Sequence, residues 1–245
     1  MFGCSKFFSY FCNVMTQDFE SNKKRIERLG FTCGLIDDNG KVRNFIDGHE
    51  YIEIGGIKWA TCNVGAEKET DSGLYFQWGD VQGYTSDQYG FGEGKKCFTW
   101  VDYKYVNNNT LTKYNSTDGK TVLEPSDDAA RFHMGGSWRM PTEEDFQKLL
   151  ASTTNKWVFN YKGSGVNGRL FTSMRDSSKT LFFPTCGYCG YGSIGTVGTD
   201  GYYWSSSLNS SGVFDSYNLS FGVKFCRAVA NGRNYGFSVR GVINY

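Results

Sequence analysis

The sequence predicts an α+β fold of short antiparallel strands, few helices and long loops. The chain of 245 residues contains 31 Gly and 17% aromatic residues but only 3 Pro, a composition typical of short strands joined by glycine turns. Apolar and polar residues alternate over 217–225, with the period of two of a half-buried strand or hairpin. Residues 142–150 begin like a helix, with Thr142 as the cap and acids in the first turn.

Residues 1–48 differ in composition from the rest of the chain and form a separate N-terminal segment. A helix is expected over residues 17–29, where apolar side chains share one face and charged side chains lie outside it. A hairpin around an Asn-Gly turn is expected over residues 34–43. The segment is either an attachment or oligomerisation piece or the first strands of the main domain, which otherwise spans residues 49–245.

Within residues 49–245 the strand and helix signals follow one another without an internal repeat. The long polar stretch at 80–120 predicts surface excursions rather than a second domain. The other elements are expected in this order: two strands about a Gly-Gly turn at 51–60, an aromatic core segment at 73–79, a helix start at 127–132, a helix from Thr142 to Leu150, and strands at 170–172 and 180–184.

Charge and hydropathy argue against two classes of partner. Lys and Arg number 26 against 25 Asp and Glu, a net charge of +1 without the clustered positive charge of nucleic-acid-binding proteins. No apolar run is long enough to span a bilayer. Residues 1–12 lack the positively charged start and the cleavage site of a signal peptide, so we expect no Sec-type signal.

The eight cysteines are irregularly spaced in a long chain, which favours mostly free thiols over a disulfide framework. Cys186 and Cys189 form the one C-x-x-C motif. A zinc site would need a second ligand pair, and His49 and His133 have no partner at a ligand spacing. Glycines surround the motif, unlike a redox pair at the start of a helix. We therefore expect a structural role, with no metal and no cofactor.

Four motifs occur in a fixed order along the chain: KWATCNVGA at 58–66, GGSWRMPT at 135–142, GYYWSSS at 201–207 and GFSVR at 236–240. Together they resemble the major paralogous domain common in Fibrobacter and Bacteroidales, over about residue 48 to the C-terminus. The RMPTE segment and the closing Gly-x-x-x-Arg also resemble the scaffold of the formylglycine-generating enzyme family. The resemblance implies a C-type-lectin-like fold.

The chain is also similar to the variable proteins of diversity-generating retroelements, in which adenine-specific mutagenesis randomises codons near the C-terminus. That resemblance implies a variable region at about 201–240, displayed as a ligand-binding face. Residues 207–231 mix small, aromatic, charged and amide side chains between two framework motifs, as on a recognition surface held by a rigid scaffold. On pattern alone, ordinary surface loops explain the same irregularity.

We predict that the ligand-contacting residues come from this irregular run, and that the apolar and framework residues around it support the scaffold. The predicted contacts are Ser207, Asn209, Ser211, Val213, Phe214, Asp215, Tyr217, Phe225, Cys226, Ala228, Val229 and Asn231. The predicted supports are Trp204, Leu219, Phe221, Val239 and Arg240.

The function expected from these features is non-catalytic binding of a protein or cell-surface ligand, on a phage virion or a bacterial cell surface. A homo-oligomer formed through the N-terminal segment would fit the same function. An oxidoreductase of the formylglycine-generating type is the first alternative, but Cys186 with Cys189 or Cys226 does not match that family's copper-binding pattern. A calcium-dependent carbohydrate-binding lectin is the second, with the EPS sequence at 124–126 superficially like the lectin Glu-Pro-Asn motif.

Overall fold

A computed structural model describes residues 33–36 and 42–244 of the chain. The helix predicted over 17–29 and the turn of the hairpin predicted over 34–43 lie outside the described residues. The chain divides between Tyr51 and Ile52 into two units, whereas the sequence placed the start of the main domain at residue 49.

The described residues form fifteen strands and two α-helices. The strands are β1 (Cys33–Ile36), β2 (Val42–Ile46), β3 (His49–Ile54), β4 (Ile57–Asn63), β5 (Val106–Asn107), β6 (Thr110–Leu111), β7 (Thr153–Val158), β8 (Gly168–Ser173), β9 (Thr180–Pro184), β10 (Tyr188–Gly190), β11 (Ser193–Gly195), β12 (Gly201–Leu208), β13 (Asp215–Phe221), β14 (Cys226–Gly232) and β15 (Arg240–Ile243). The helices are α1 (Ala129–Met134) and α2 (Glu143–Ser152). Single turns of 3-10 helix lie at Ser86–Gln88, Pro125–Asp127 and Tyr161–Gly163.

In the first unit, β1 and β2 pair antiparallel, as the predicted hairpin requires, with Ile36 opposite Val42. Strand β2 then pairs antiparallel with the start of β3, where Ile46 lies opposite His49. Arg43 and Glu50 form an ion pair of 2.7 Å on these two strands.

The two strands predicted at 51–60 are confirmed: β3 ends and β4 begins at the Gly55-Gly56 turn, where φ is +64° and +77°, values that favour glycine.

In the second unit, the strands form several small antiparallel sheets. Strand β4 pairs with β15, β7 with β8 and β8 with β9, β10 with β11, and β5 with β6. The sheet that carries most of the predicted ligand contacts is three-stranded, in the order β12-β13-β14.

The predicted α+β, C-type-lectin-like fold is wrong. The described residues are mostly antiparallel β structure, 40% strand against 12% helix, divided among several small sheets. Both helix starts were correctly predicted, but α1 has only 6 residues and α2 only 10. Helix α2 ends at the β-branched pair Thr153-Thr154, which opens β7, because branched side chains favour the extended backbone.

Both helices begin with an acid-assisted cap. The Thr142 hydroxyl accepts a hydrogen bond from the Asp145 amide at 3.2 Å, and the Asp145 carboxylate accepts one from the Thr142 amide at 2.9 Å. This capping box confirms the predicted helix start. Asp128 caps α1 by accepting from the Arg131 amide at 2.9 Å.

Helix α2 turns its apolar side toward the main core, as the sequence predicted. Phe146 and Leu149 are fully buried there, and the Phe146 ring stacks on Trp59 of β4 at 5.8 Å between ring centroids. Other buried members of this core come from five further strands: Phe171, Phe183, Tyr203, Leu219, Phe221 and Val242.

Residues 217–225 were predicted as a half-buried strand or hairpin, and they belong to a hairpin: β13 ends at Phe221 and β14 begins at Cys226. The half-buried pattern is wrong, because the polar residues Asn218 and Ser220 are buried together with the apolar Leu219 and Phe221. These polar side chains are tolerated inside because they satisfy each other: the Ser220 hydroxyl donates to Asn218 Oδ1 at 2.6 Å, and Asn218 Nδ2 donates to the Val229 carbonyl at 3.1 Å.

Arg240 connects the two ends of the second unit. Its side chain is fully buried, and among the described residues it has no carboxylate partner. The guanidinium donates to Asn63 Oδ1 at 2.9 Å, to the carbonyls of Ala60 and Thr61 at 3.0 and 2.7 Å, and to the carbonyl of Phe182 at 3.2 Å. The prediction that hydrogen bonds hold Arg240 is confirmed.

Replacing Arg240 with Met should lower the free energy of unfolding by about 3 kcal/mol or more. Several buried acceptors on β4 and β9 would lose their donor, and each such loss costs roughly 1–3 kcal/mol. Urea unfolding of the purified variant measures the change. Arg43→Met, which breaks a surface ion pair, is the matched control and should cost about 1 kcal/mol or less. Equal costs for the two variants would contradict this role of Arg240.

Candidate functional site

The loop between β12 and β13, residues 209–214, presents an aromatic side chain to solvent. The Phe214 side chain is 52% exposed, and its ring packs edge-on against Trp100 at 5.6 Å between centroids. Val101, next in sequence to Trp100, is 86% exposed. We call Trp100, Val101, Val213 and Phe214 the apolar tip.

Backbone hydrogen bonds hold the loop of the apolar tip in one shape. The Asn209 amide donates to the Asp215 carbonyl at 3.2 Å, and the Asp215 amide donates to the Gly212 carbonyl at 2.8 Å. Inside the loop, Asn209 Oδ1 accepts from the Ser211 amide at 3.2 Å. Asn209 and Ser211 therefore shape the loop as well as lying on its surface.

Arg233 supports the apolar tip from the protein interior through hydrogen bonds. Its guanidinium is fully buried and donates to the Val213 carbonyl at 2.7 Å and to the Tyr114 carbonyl at 2.9 Å. It lies over the rings of Trp78 and Tyr103, at 4.8 and 5.1 Å from their centroids. The Arg233 amide also donates to the Phe214 carbonyl at 3.0 Å.

A polar cluster around Asp127 holds the segment 113–114, which contacts Arg233. The buried Asp127 carboxylate accepts from Lys104 at 3.0 Å and from the Tyr114 hydroxyl at 2.7 Å, and it pairs with Lys113. Burial raises the pKa of Asp127, but the hydrogen bonds, led by that from Lys113, outweigh burial and lower the pKa well below its usual value. The carboxylate thus stays charged and holds the side chains of Lys113 and Tyr114, whose backbone carbonyls accept hydrogen bonds from Arg233.

Phe225, another predicted contact, lies at the opposite end of the sheet. It is 37% exposed in the turn between β13 and β14, where Val223, which was not predicted as a contact, is 54% exposed. The Arg227 guanidinium lies over the Phe225 ring at 5.7 Å. Strand β13 has seven residues, and at about 3.4 Å per residue roughly 24 Å separate this turn from the apolar tip.

The predicted contacts within the strands divide between two faces of the sheet. One face carries the buried Tyr203, Leu219 and Phe221. Since residues opposite each other share a face, Ala228 lies on that face opposite Leu219, and Cys226 lies on it opposite Phe221.

The remaining strand contacts occupy both sides as well. Tyr217, two residues before Leu219, is on the face of Tyr203 and Leu219. Val229 lies on the second face, opposite Asn218, and Asn231 lies there opposite Ser216. Ser207 is in the irregular part of β12, where its hydroxyl accepts from the Glu143 amide at 3.0 Å and caps α2. The twelve predicted residues therefore do not form one continuous surface.

The predicted supports are buried as expected. Trp204, Leu219, Phe221 and Val239 are fully buried. The Trp204 indole donates to the Phe76 carbonyl at 2.8 Å, and its ring stacks on Phe237 at 4.2 Å.

Trp100, Val101 and Arg233 belong to the candidate site but were not predicted. Trp100 and Val101 lie in the polar stretch at 80–120, which carried no motif. Their signal was an aromatic and an aliphatic residue side by side in a region expected at the surface. Arg233 was overlooked because a charged residue in an irregular run is usually solvated; sequence alone does not reveal the ring of carbonyls that accepts its hydrogen bonds.

The C-x-x-C thiols lie inside the protein. Cys186 and Cys189 are both buried and both free, and burial raises the pKa of Cys189 well above its usual value. Cys226 is free and partly buried, and burial raises its pKa to about 11. Neutral thiols are poor nucleophiles and poor metal ligands. Over residues 43–244, whose side chains the structure describes, no three His, Cys, Asp or Glu side chains are grouped to hold a metal ion.

Comparison with protein-family models, with curated proteins and with solved structures finds no match for the chain. None of the helices in the described part of the chain is long and apolar enough to cross a membrane.

Truncation of Trp204 should destabilise the protein much more than truncation of Phe214. Trp204→Ala should lower the free energy of unfolding by about 3–5 kcal/mol, because it empties a packed aromatic site. Phe214→Ala and Phe225→Ala should each cost about 1 kcal/mol or less, since their rings are exposed and lose mainly one ring contact. Thermal and urea unfolding of the three variants measure this difference. If Phe214→Ala unfolds as readily as Trp204→Ala, its ring is part of the core and the apolar tip is not a binding surface.

Proposed function

We propose that the chain is a non-catalytic ligand-binding protein whose primary contact surface is the apolar tip. The observation that carries the proposal is an exposed Phe214 ring, packed on Trp100 and held on a backbone that buried Arg233 fixes. Binding energy at interfaces concentrates in a few aromatic side chains. A rigid support lowers the entropy cost of presenting them.

The proposed ligand is a protein or another cell-surface molecule, and the proposed setting is a phage virion or a bacterial surface. The irregular composition of 207–231 supports diversification of the kind that the retroelement variable proteins undergo. Of the twelve residues, we assign direct contacts first to Val213 and Phe214, which lie at the tip. Ser207 and Cys226 instead contact the interior of the protein.

The burial of the thiols supports binding over oxidation. A copper-binding cysteine pair needs accessible thiolates, whereas Cys186 and Cys189 are buried and burial keeps Cys189 protonated. The calcium-lectin alternative depended on the EPS sequence at 124–126. There Glu124 pairs with Lys113 and Lys120, so these lysines already neutralise its carboxylate.

Binding through the apolar tip can be tested against an equivalent ring elsewhere. Phe159 is also exposed and also packs edge-on against a tryptophan, Trp157, at 5.7 Å. With fluorescently labelled protein on a panel of bacterial strains, Phe214→Ser should lower cell binding by about tenfold or more, as loss of a hot-spot aromatic does. Phe159→Ser should leave binding within about twofold. Binding that survives Phe214→Ser, or an equal loss in both variants, would contradict the proposal.

The diversification part of the proposal is tested at the gene. DNA beside the gene should encode a reverse transcriptase and carry a near-identical repeat of the codons for residues 201–240. Copies of the gene from one population should differ at codons 213 and 214 and agree at those for Arg233 and Arg240. Flanking DNA with neither the reverse transcriptase nor the repeat would remove diversification from the proposal.

A further inference from the structure

Strand β14 is an edge strand with an open side. It pairs with β13 along its whole length, and among the described residues no other strand pairs with it. Every one of its seven residues is partly or fully accessible to solvent. An edge of this kind presents backbone N–H and C=O groups that another strand can use.

The hydrogen bonds at the two ends of the β13–β14 pair show which groups point outward. The Gly222 amide donates to the Phe225 carbonyl at 3.0 Å, and the Arg233 amide donates to the Phe214 carbonyl at 3.0 Å. In an antiparallel pair, hydrogen-bonded and non-hydrogen-bonded positions alternate. The register is unbroken from 215–232 to 221–226, so the pairs 216–231, 218–229 and 220–227 are the hydrogen-bonded ones.

It follows that the N–H and C=O groups of Cys226, Ala228 and Ala230 point away from β13. Within the described part of the chain, no hydrogen bond to these groups is formed. Three successive outward positions, with spacing of two residues, are the pattern that a pairing strand needs.

The features that usually block an edge are missing from β14. Its sequence, CRAVANG, contains no proline and one charged residue, and its pairing with β13 contains no bulge. Proline, inward charges and bulges are the ordinary means of preventing strand addition. The side chains at 228 and 230 are methyl groups, so a second backbone can approach closely.

Charge favours one kind of occupant. Lys224 and Arg227 are exposed at the start of β14, and neither forms an ion pair with a described carboxylate. A second copy of β14 would bring more positive charge and no carboxylate. An extended segment of another protein with an acidic residue near Arg227 would be complementary.

We propose that the open side of β14 binds an extended, acidic peptide segment of a protein partner by strand addition. Main-chain hydrogen bonds to residues 226, 228 and 230 would supply affinity, and a carboxylate beside Arg227 would set the register. This inference rests on the proposed binding function and assigns it a second contact, distinct from the apolar tip.

The test is selection of seven-residue peptides from a random synthetic library on the whole protein, followed by affinity measurement on two matched variants. Ala228→Pro removes the outward N–H of residue 228 and no hydrogen bond to β13, and an edge strand tolerates such a proline. Ala228→Thr keeps the N–H and adds bulk. Selected peptides should alternate β-branched residues around a Glu or Asp, bind Ala228→Thr within about threefold, and bind Ala228→Pro about tenfold more weakly or worse.

A charge reversal tests the register separately. For a selected peptide and its Glu-to-Lys counterpart, Arg227→Glu should invert the preference, because the partner charge would then face a carboxylate. Thermal unfolding should show Ala228→Pro still folded; if it is not, the Arg227→Glu inversion alone decides.

Three results would overturn the inference: no peptide selected, equal affinity for the Pro and Thr variants, or a wild-type dimer in sedimentation that Ala228→Pro dissociates. The last would assign the edge to a second copy of the chain. Any of these, with Phe214→Ser still lowering cell binding about tenfold or more, would leave the apolar tip as the site of function.

Discussion

A buried guanidinium without a carboxylate is the constraint on which the second unit depends. Arg240 must place its N–H groups on neutral acceptors, and those it uses belong to β4 and β9. Leaving those N–H groups unpaired in the interior would cost more than most single contacts contribute. The backbone of several segments therefore has to meet at one point, with the Phe183 ring at 4.4 Å completing the enclosure.

Arg233 is a second buried arginine whose guanidinium donates to neutral acceptors, in this case beneath the surface loops. Its acceptors are carbonyls of residues 113, 114 and 213 and the hydroxyl of Tyr103. One arginine thus organises the interior and the other organises the side that carries the apolar tip. Because the second is as deeply buried as the first, the loop that carries Phe214 is part of the folded framework and not an appendage to it.

Local signals in the sequence predicted local structure well. The cap at Thr142, the cap at Asp128 and the Gly55-Gly56 turn each depend on a few adjacent residues, and all are present. The fold class failed because it depended on how the strands assemble, and short aromatic strands with similar alternation are compatible with many sheet arrangements. The burial of Asn218 and Ser220 was hidden for a related reason: their partners lie on the same strand and its neighbour, which only pairing reveals.

Part of the candidate site lies in the sequence range that was predicted, whereas Trp100 and Val101 lie outside it. Aperiodic chemistry between framework motifs selected Phe214 and Phe225, which are exposed. The same argument included Ser207 and Cys226, whose contacts lie inside. Residues adjacent in sequence along a strand point to opposite faces of the sheet. The two turns that join β12 to β13 and β13 to β14 lie at opposite ends of the sheet. A contiguous run of sequence therefore maps onto several separate patches.

The unbroken register between β13 and β14 limits how this part of the chain can change over time. A substitution at 213 or 229 alters one side chain and leaves the pairing intact. Deleting or inserting one residue within β13 would exchange the faces occupied by Leu219 and Phe221 and by Asn218 and Ser220. The gene should therefore accept many substitutions in this region but few insertions or deletions. Related sequences would then differ here by replaced residues and not by changes in length.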